Sequence, residues 1–309
     1  MTAWLLSGAL VVLCRILRYV PSQRLLRFCR GRILPSLPPF SATVWLKEAP
    51  EPVQLHCFQL GGVHHADVLS EWVLLTGTWQ PALTKWLRRT LRPGDTYVDV
   101  GANTGYFVLL AAALVGNSGG GVVAIEACPR TYERLQVNLA LNARLTRCVR
   151  PVQVAAAEAP GSTTLYQHRR DPLYNTTIAG AGAGGVAAST DVWAVLQASG
   201  AVARDTMAAA AVARLSEDSA CWQTCNVAKG ALDELLTPLE FERARVVKVD
   251  VEGGEWAVIR GMARLLEHGS VDLEIVVEVR DRRHRRKRHE IRTTQEHMTH
   301  YTSLLIPCR

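Results

Sequence analysis

The chain is 309 residues long, 48% hydrophobic and 20% charged, with a mean hydropathy of +0.06. That is enough apolar material for one large core or two small ones, and it excludes wholesale disorder. The net charge of +7 sits at the ends: residues 1–47 carry seven Lys/Arg and no acid, and residues 280–292 carry eight against Asp281 and Glu290. The body is therefore net acidic, so no specific nucleic-acid partner is expected, and contact with a polyanion is left to the basic tail.

The first apolar stretch, "AWLLSGALVVLC" (3–14), is too short for a comfortable membrane span before Arg15 interrupts it. Its acid-free, arginine-bearing continuation to Phe40 fits an organellar transit segment; a signal anchor and an amphipathic helix lying on a membrane or on the domain fit as well. The localisation these readings imply is organellar (mitochondrial or plastid) or membrane-associated. "PSLPPF" (35–40) breaks any helix and closes a segment, 1–40, expected to serve targeting or membrane contact and to be dispensable for folding.

Residues 41–90 carry mixed signals, a strand-like "VQLHCFQL" (53–60) and a helical "PALTKWLRRTL" (81–91). His64 and His65 are adjacent, so on a strand they face opposite ways and read as a surface pair. A regular series then begins. "TYVDV" (96–100) is a buried strand, "GYFVLLAAALVG" (105–116) a helix, and "GGGVVAIEACP" (119–129) a turn and strand. "TYERLQVNLALNA" (131–143) is a helix and "CVRPVQVAAAE" (148–158) a third strand. Strand, helix, strand, helix, strand at this spacing means a parallel sheet with right-handed crossovers.

From about 168 to 225 the periodicity fails. "IAGAGAGGVAAST" (178–190) is Ala/Gly low complexity and reads as a flexible insertion; the sequon at Asn175 has meaning only in a secreted chain. Order resumes with the helical "GALDELLTPL" (230–239), the strand "RARVVKVDV" (243–251), the helix "EWAVIRGMARLLEHG" (255–269) and the strand "VDLEIVVEV" (271–279). The run 280–292 is too charged for a strand, and beyond it "YTSLLIPC" (301–308) is the one candidate. The strand at 271–279 is thus expected at a sheet edge or covered by one short strand, and an open apolar edge there would favour a homodimer. The expected organisation is 1–40, an extension at 41–90, a main domain at 91–280 and a basic tail at 281–309. The eight cysteines include no CxxC pair, and "CWQTC" (221–225) has no second pair beside it, so they read as scattered thiols rather than a zinc site.

Ligands of open parallel sheets bind outside the carboxyl ends of the strands. Four acids fall at such ends: Asp99, Glu126, Asp250 and Glu278. Gly101 and Gly105 let the backbone turn tightly against a ligand, and the helix that follows aims its first amides there. Glu126, on the next strand, is placed to accept hydrogen bonds from the two hydroxyls of a ribose. A nicotinamide fingerprint needs a third glycine that this turn lacks, and Asp99 would crowd a pyrophosphate. A carboxylate suits the cationic methionine end of S-adenosylmethionine better.

"DVGANTGYF" (99–107), "AIEACP" (124–129) with "NLALN" (138–142), and "KVDVEGGEWAVIRGM" (248–262) resemble the signature segments of the FkbM family of S-adenosylmethionine-dependent methyltransferases. "AAAEAPGSTTLY" (155–166) and "LDELL" (232–236) are similar to its weaker intervening segments. The resemblance implies an α/β class I methyltransferase (Rossmann-like) fold, a mostly parallel sheet with flanking helices, and the charged run after Val279 leaves its C-terminal strands expected to be incomplete. It also implies O-methylation, often of a carbohydrate or other small-molecule hydroxyl. Carried over by position, Asp99, Gly101, Asn103 and Gly105 would hold the methionine moiety and Glu126 the ribose; Asp250, Glu252 and Glu255 would lie near the methyl group. Asp250 or Glu252 is then a candidate acceptor of the hydroxyl proton, or the acidic pair a site for a divalent metal. Lys248 shares a strand face with Asp250 and is equally able to hold it in an ion pair. The alternative function is a catalytically inert methyltransferase-like binding protein.

Overall fold

The computed structural model describes residues 39–58, 68–116, 119–168, 222–251, 254–279 and 302–307. His64, His65, residues 1–38, the Ala/Gly insertion, the Asn175 sequon, Glu252 and the basic run 280–292 lie outside them. The chain divides into two compact units, the described residues up to Val152 forming the first and those from Gln153 the second.

In the first unit, β1 (Phe40–Val44) and β2 (Val53–Cys57) form an antiparallel pair, with Phe40 opposite Cys57 and Val44 opposite Val53. β1 begins at Phe40, the last residue of the segment expected to be separate. It and the next helix, α1 (Val68–Thr76), were not legible in the mixed region. α2 (Pro81–Thr90) starts on a proline and buries Leu83, Thr84 and Leu87 while Lys85, Arg88 and Arg89 stay in water. β3 (Thr96–Val100) is buried at every position, and so is α3 (Tyr106–Val115), as its unbroken apolar sequence requires. β4 (Gly121–Ile125), α4 (Pro129–Leu141) and β5 (Val149–Val152) complete the unit. β3, β4 and β5 lie side by side in parallel, with Asp99 opposite Ala124 and Ile125 opposite Val152. Tyr106 opens α3 with its hydroxyl 3.0 Å from Thr84 Oγ1, which ties the start of α3 to α2.

The second unit departs further from expectation. The stretch 148–158 is two strands, not one: β5 ends at Val152, and β6 (Ala155–Ala157) pairs in parallel with β8 (Trp222–Ala231). β7 (Gly161–His168) lies antiparallel to β8, with Leu165 opposite Cys225, so residues 222–225 belong to a strand rather than to the insertion. The helical stretch 230–239 becomes α5 (Leu232–Leu235) and α6 (Pro238–Arg243), the latter opened by a capping box between Thr237 and Glu240. β9 (Ala244–Val249) follows as expected.

The helix expected over 255–269 breaks in two, α7 (Glu255–Arg260) and α8 (Ala263–His268). Gly261 stands at the break because its backbone is laid on β6: a Cβ there would meet the Ala157 carbonyl oxygen at 1.9 Å. Its own carbonyl accepts from the Asp233 amide at 3.0 Å. The Asp233 carboxylate in turn caps α8, accepting from Arg264 N at 2.8 Å and Leu265 N at 2.9 Å. β10 (Glu274–Val279) has partners on both sides, β9 in parallel and β11 (Thr302–Pro307) antiparallel. β11 lies in the stretch expected to supply that strand, so β10 is not an open edge. No described helix is long and apolar enough to cross a membrane.

Candidate active site

In the first unit the expected cofactor residues converge at the ends of β3 and β4. Beyond Val100 the backbone turns left-handed three times, at Gly101 (φ +84°), Asn103 (+51°) and Gly105 (+96°). Asparagine tolerates this region better than most residues with a Cβ, which explains its place between two glycines. The turn is laced to β4: the Ile125 carbonyl accepts from both Gly101 N and Ala102 N at 2.9 Å. No side chain caps the N-terminus of α3.

Glu126 follows β4 directly and spans the two strand-end loops. Its Oε2 accepts from Asn103 N and its Oε1 from Cys128 N, each at 2.9 Å. The expected ribose acceptor is therefore also the pin that holds the turn, a role that spacing alone does not reveal. Each of its oxygens thus accepts from a backbone amide of a different loop. Asp99 is nearly closed off, 1% exposed against 8% for Glu126. Burial, chiefly, pushes the Cys128 thiol up from its ordinary value, with the Glu126 charge adding to it against hydrogen bonding to Thr131.

Gly105 answers a second demand. A Cβ there would come 2.7 Å from Leu135 Cδ1 on α4. The glycine is thus fixed both by its dihedral angle and by the close approach of the turn to α4. Leu135, fully buried, is a residue of the site that sequence reading did not single out.

In the second unit, Asp250 follows β9 and pairs with Lys248 Nζ at 3.5 Å. The lysine side chain is buried and the aspartate a quarter exposed, 4% and 24%. The ion pair read from their spacing is present, and a buried ammonium keeps this carboxylate as a counter-charge. Val277 stands opposite Val249, so Glu278, the penultimate residue of β10, and Asp250, which follows β9, lie near the ends of neighbouring strands. Glu255 is buried in the first turn of α7, where a carboxylate suits the helix dipole. Among the described residues no group of three or more His, Cys, Asp or Glu is arranged to hold a metal ion.

A model of the methyltransferase FkbM domain matches residues 99–301. No curated protein matches the chain. Among solved structures, the chain is similar to a methyltransferase FkbM from Methylobacillus flagellatus KT, with 14% identity over 78% of this chain and a TM-score of 0.38. It spans 55% of the length of that protein. It is also similar to an RNA methyltransferase from Salinibacter ruber in complex with S-adenosyl-L-homocysteine, with 14% identity, 74% of this chain and 90% of that one, and a TM-score of 0.36. A precorrin-6y C5,15-methyltransferase from Geobacter metallireducens GS-15 gives 14% identity, 72% and 84% coverage, and a TM-score of 0.36. At these TM-scores the three structures bear on neither substrate nor mechanism.

Proposed function

The chain belongs to the methyltransferase FkbM family, and from that premise we propose that it methylates a hydroxyl oxygen of a carbohydrate or other small-molecule acceptor. It is a methyltransferase with a class I, Rossmann-like, mostly parallel sheet, and its methyl donor is S-adenosylmethionine. The donor set at the end of β3 and β4 fits that cofactor. The turn through Gly101 and Gly105 admits close backbone approach, and the Glu126 carboxylate, fixed by two amides at the strand ends, is the acceptor proposed for the ribose hydroxyls. Asp99 and Asn103 are the residues proposed for the methionine end.

S-adenosylmethionine supplies a methyl group already activated by its sulfonium, so the protein's task is alignment and removal of a proton. Asp250 and Glu252 are proposed for that removal: one of them would take the proton of the acceptor hydroxyl as its oxygen bonds to the methyl carbon, with the methyl–sulfur bond breaking to leave a neutral thioether. The observation that carries this reading is the Asp250 carboxylate, partly open to solvent and held by buried Lys248 within the segment 248–262 that resembles a family signature. The test is transfer of tritium from methyl-labelled S-adenosylmethionine to a panel of sugars and small alcohols. The expected product is a base-stable methyl ether, absent with Asp250→Asn. A base-labile ester, an N-methylated product, or full activity in the variant counts against a hydroxyl acceptor with Asp250 as the base.

A further inference from the structure

Asn138, inside α4 where asparagine is a poor choice by helix propensity alone, and Asn142, which caps the C-terminus of α4, stand four residues apart. Both reach β2. Asn138 is fully buried. Its Oδ1 accepts from His56 N at 2.8 Å, and its Nδ2 donates to the Thr104 carbonyl at 2.8 Å. The orientation of the amide is forced, because a donor faces one end and an acceptor the other. Asn142 clamps the same strand: its Oδ1 accepts from Gln54 N at 2.8 Å and its Nδ2 donates to the Gln54 carbonyl at 2.7 Å. Its remaining bond goes to the Asn138 carbonyl at 2.7 Å, and none of these contacts touches the turn.

We propose that Asn138 is a positioning residue for the cofactor turn, acting through the Thr104 carbonyl. Two of the turn's three left-handed residues, Asn103 and Gly105, flank Thr104. Glu126 holds the amide ahead of Thr104, and Leu135 packs where a side chain at Gly105 would stand. The bond from Asn138 fixes the middle of this path. Without it, the turn relaxes, and binding has to restore a conformation that is otherwise built in. Because Leu135 and Asn138 are three residues apart on α4, one helix face carries both restraints. The inference rests on the reading of this turn as the S-adenosylmethionine cradle.

The comparison of Asn138→Asp with Asn142→Asp separates positioning from general stability. Each variant keeps the acceptor for a β2 amide and sets a carboxylate against a carbonyl where a donor stood. Asn138→Asp opposes the Thr104 carbonyl of the cofactor turn, and Asn142→Asp opposes the Gln54 carbonyl of β2 and the backbone carbonyl of Asn138. The measurement is calorimetric titration of S-adenosylmethionine into the full chain, with amide hydrogen exchange of residues 101–106 alongside. Asn138→Asp should raise Kd at least tenfold and speed exchange in the turn. Asn142→Asp should leave Kd within threefold of the unsubstituted chain at a comparable loss in Tm. A folded Asn138→Asp that binds within threefold of the unsubstituted chain overturns the proposal, and so does equal weakening by Asn142→Asp. If Asn138→Asp does not fold, the smaller neutral Asn138→Ser takes its place under the same criteria. Failure of the unsubstituted chain to bind S-adenosylmethionine is a different result and removes the cofactor reading itself.

Discussion

The acid-bearing strand ends of the two units are built on different principles. In the first, Glu126 is held by two backbone amides and the turn it pins is fixed residue by residue. In the second, Asp250 pairs with the buried ammonium of Lys248 and remains partly open to solvent. Hydrogen bonds to backbone fix position; an ion pair across a longer gap fixes charge and leaves the carboxylate freer to move. The first arrangement suits a cofactor cradle, which gains from being rigid. The second suits a group that exchanges a proton with an incoming acceptor.

Glycine substitutions break the comparison most severely, and for different reasons in each unit. Gly261→Ala drives a methyl group into backbone, since the Ala157 carbonyl oxygen would lie 1.9 Å from the new Cβ. Neither partner can give way, so a loss of about 3 kcal/mol or more is expected, read from the denaturant midpoint. Gly105→Ala meets a flexible leucine tip instead, at 2.7 Å, but is also held at φ +96°. The expected cost is about 2–3 kcal/mol, of which the dihedral accounts for about 1–2. Adding Leu135→Ala should relieve the contact without restoring S-adenosylmethionine binding. If the double variant binds as the unsubstituted chain does, the left-handed turn is not required.

Asp250→Asn sharpens the contrast on the other side. It removes the Asp250 charge from the buried Lys248 ammonium, and because Asp250 is a quarter exposed the expected loss is about 2 kcal/mol, below the range for fully buried pairs. Lys248→Met combined with Asp250→Asn should recover most of that stability in thermal melts while methyl transfer stays lost. Recovery of activity with stability would make Asp250 a structural partner only. The smallest effect concerns thiols. Cys57 and Cys128 are buried, and burial raises the Cys128 thiol, so neither should react with iodoacetamide at neutral pH in the folded chain. Rapid labelling of Cys128 would mean that the Glu126–Cys128 loop opens.

The first unit was largely legible because its signals are local. β3, α3, β4 and α4 each carry their own pattern, and the left-handed positions are marked by Gly, Asn and Gly within five residues. Even there, the double engagement of Glu126 was hidden, since it depends on where two loops meet. The second unit was less legible because its determinants are distant. β7 and β8 alternate weakly, with Thr, Gln and Asn among their residues, and they pair across the whole insertion. Gly261 breaks a continuous helical pattern because of a contact with Ala157, far away in sequence. β11 was legible as a strand by default, as the sole apolar run after a stretch of charge.

The central claim is that the turn pinned by Glu126 is the S-adenosylmethionine cradle, and titration of that cofactor into the unsubstituted chain and into Glu126→Gln tests it most directly. The substitution sets a donor against one of the two amides and removes the charge that both share, a change expected to cost about 1.5–3 kcal/mol, or roughly a tenfold to hundredfold rise in Kd. The account predicts one-to-one binding by the unsubstituted chain, no binding of a nicotinamide dinucleotide, and that loss in the variant. Equal affinity of the two proteins for S-adenosylmethionine, or none in either, would contradict it.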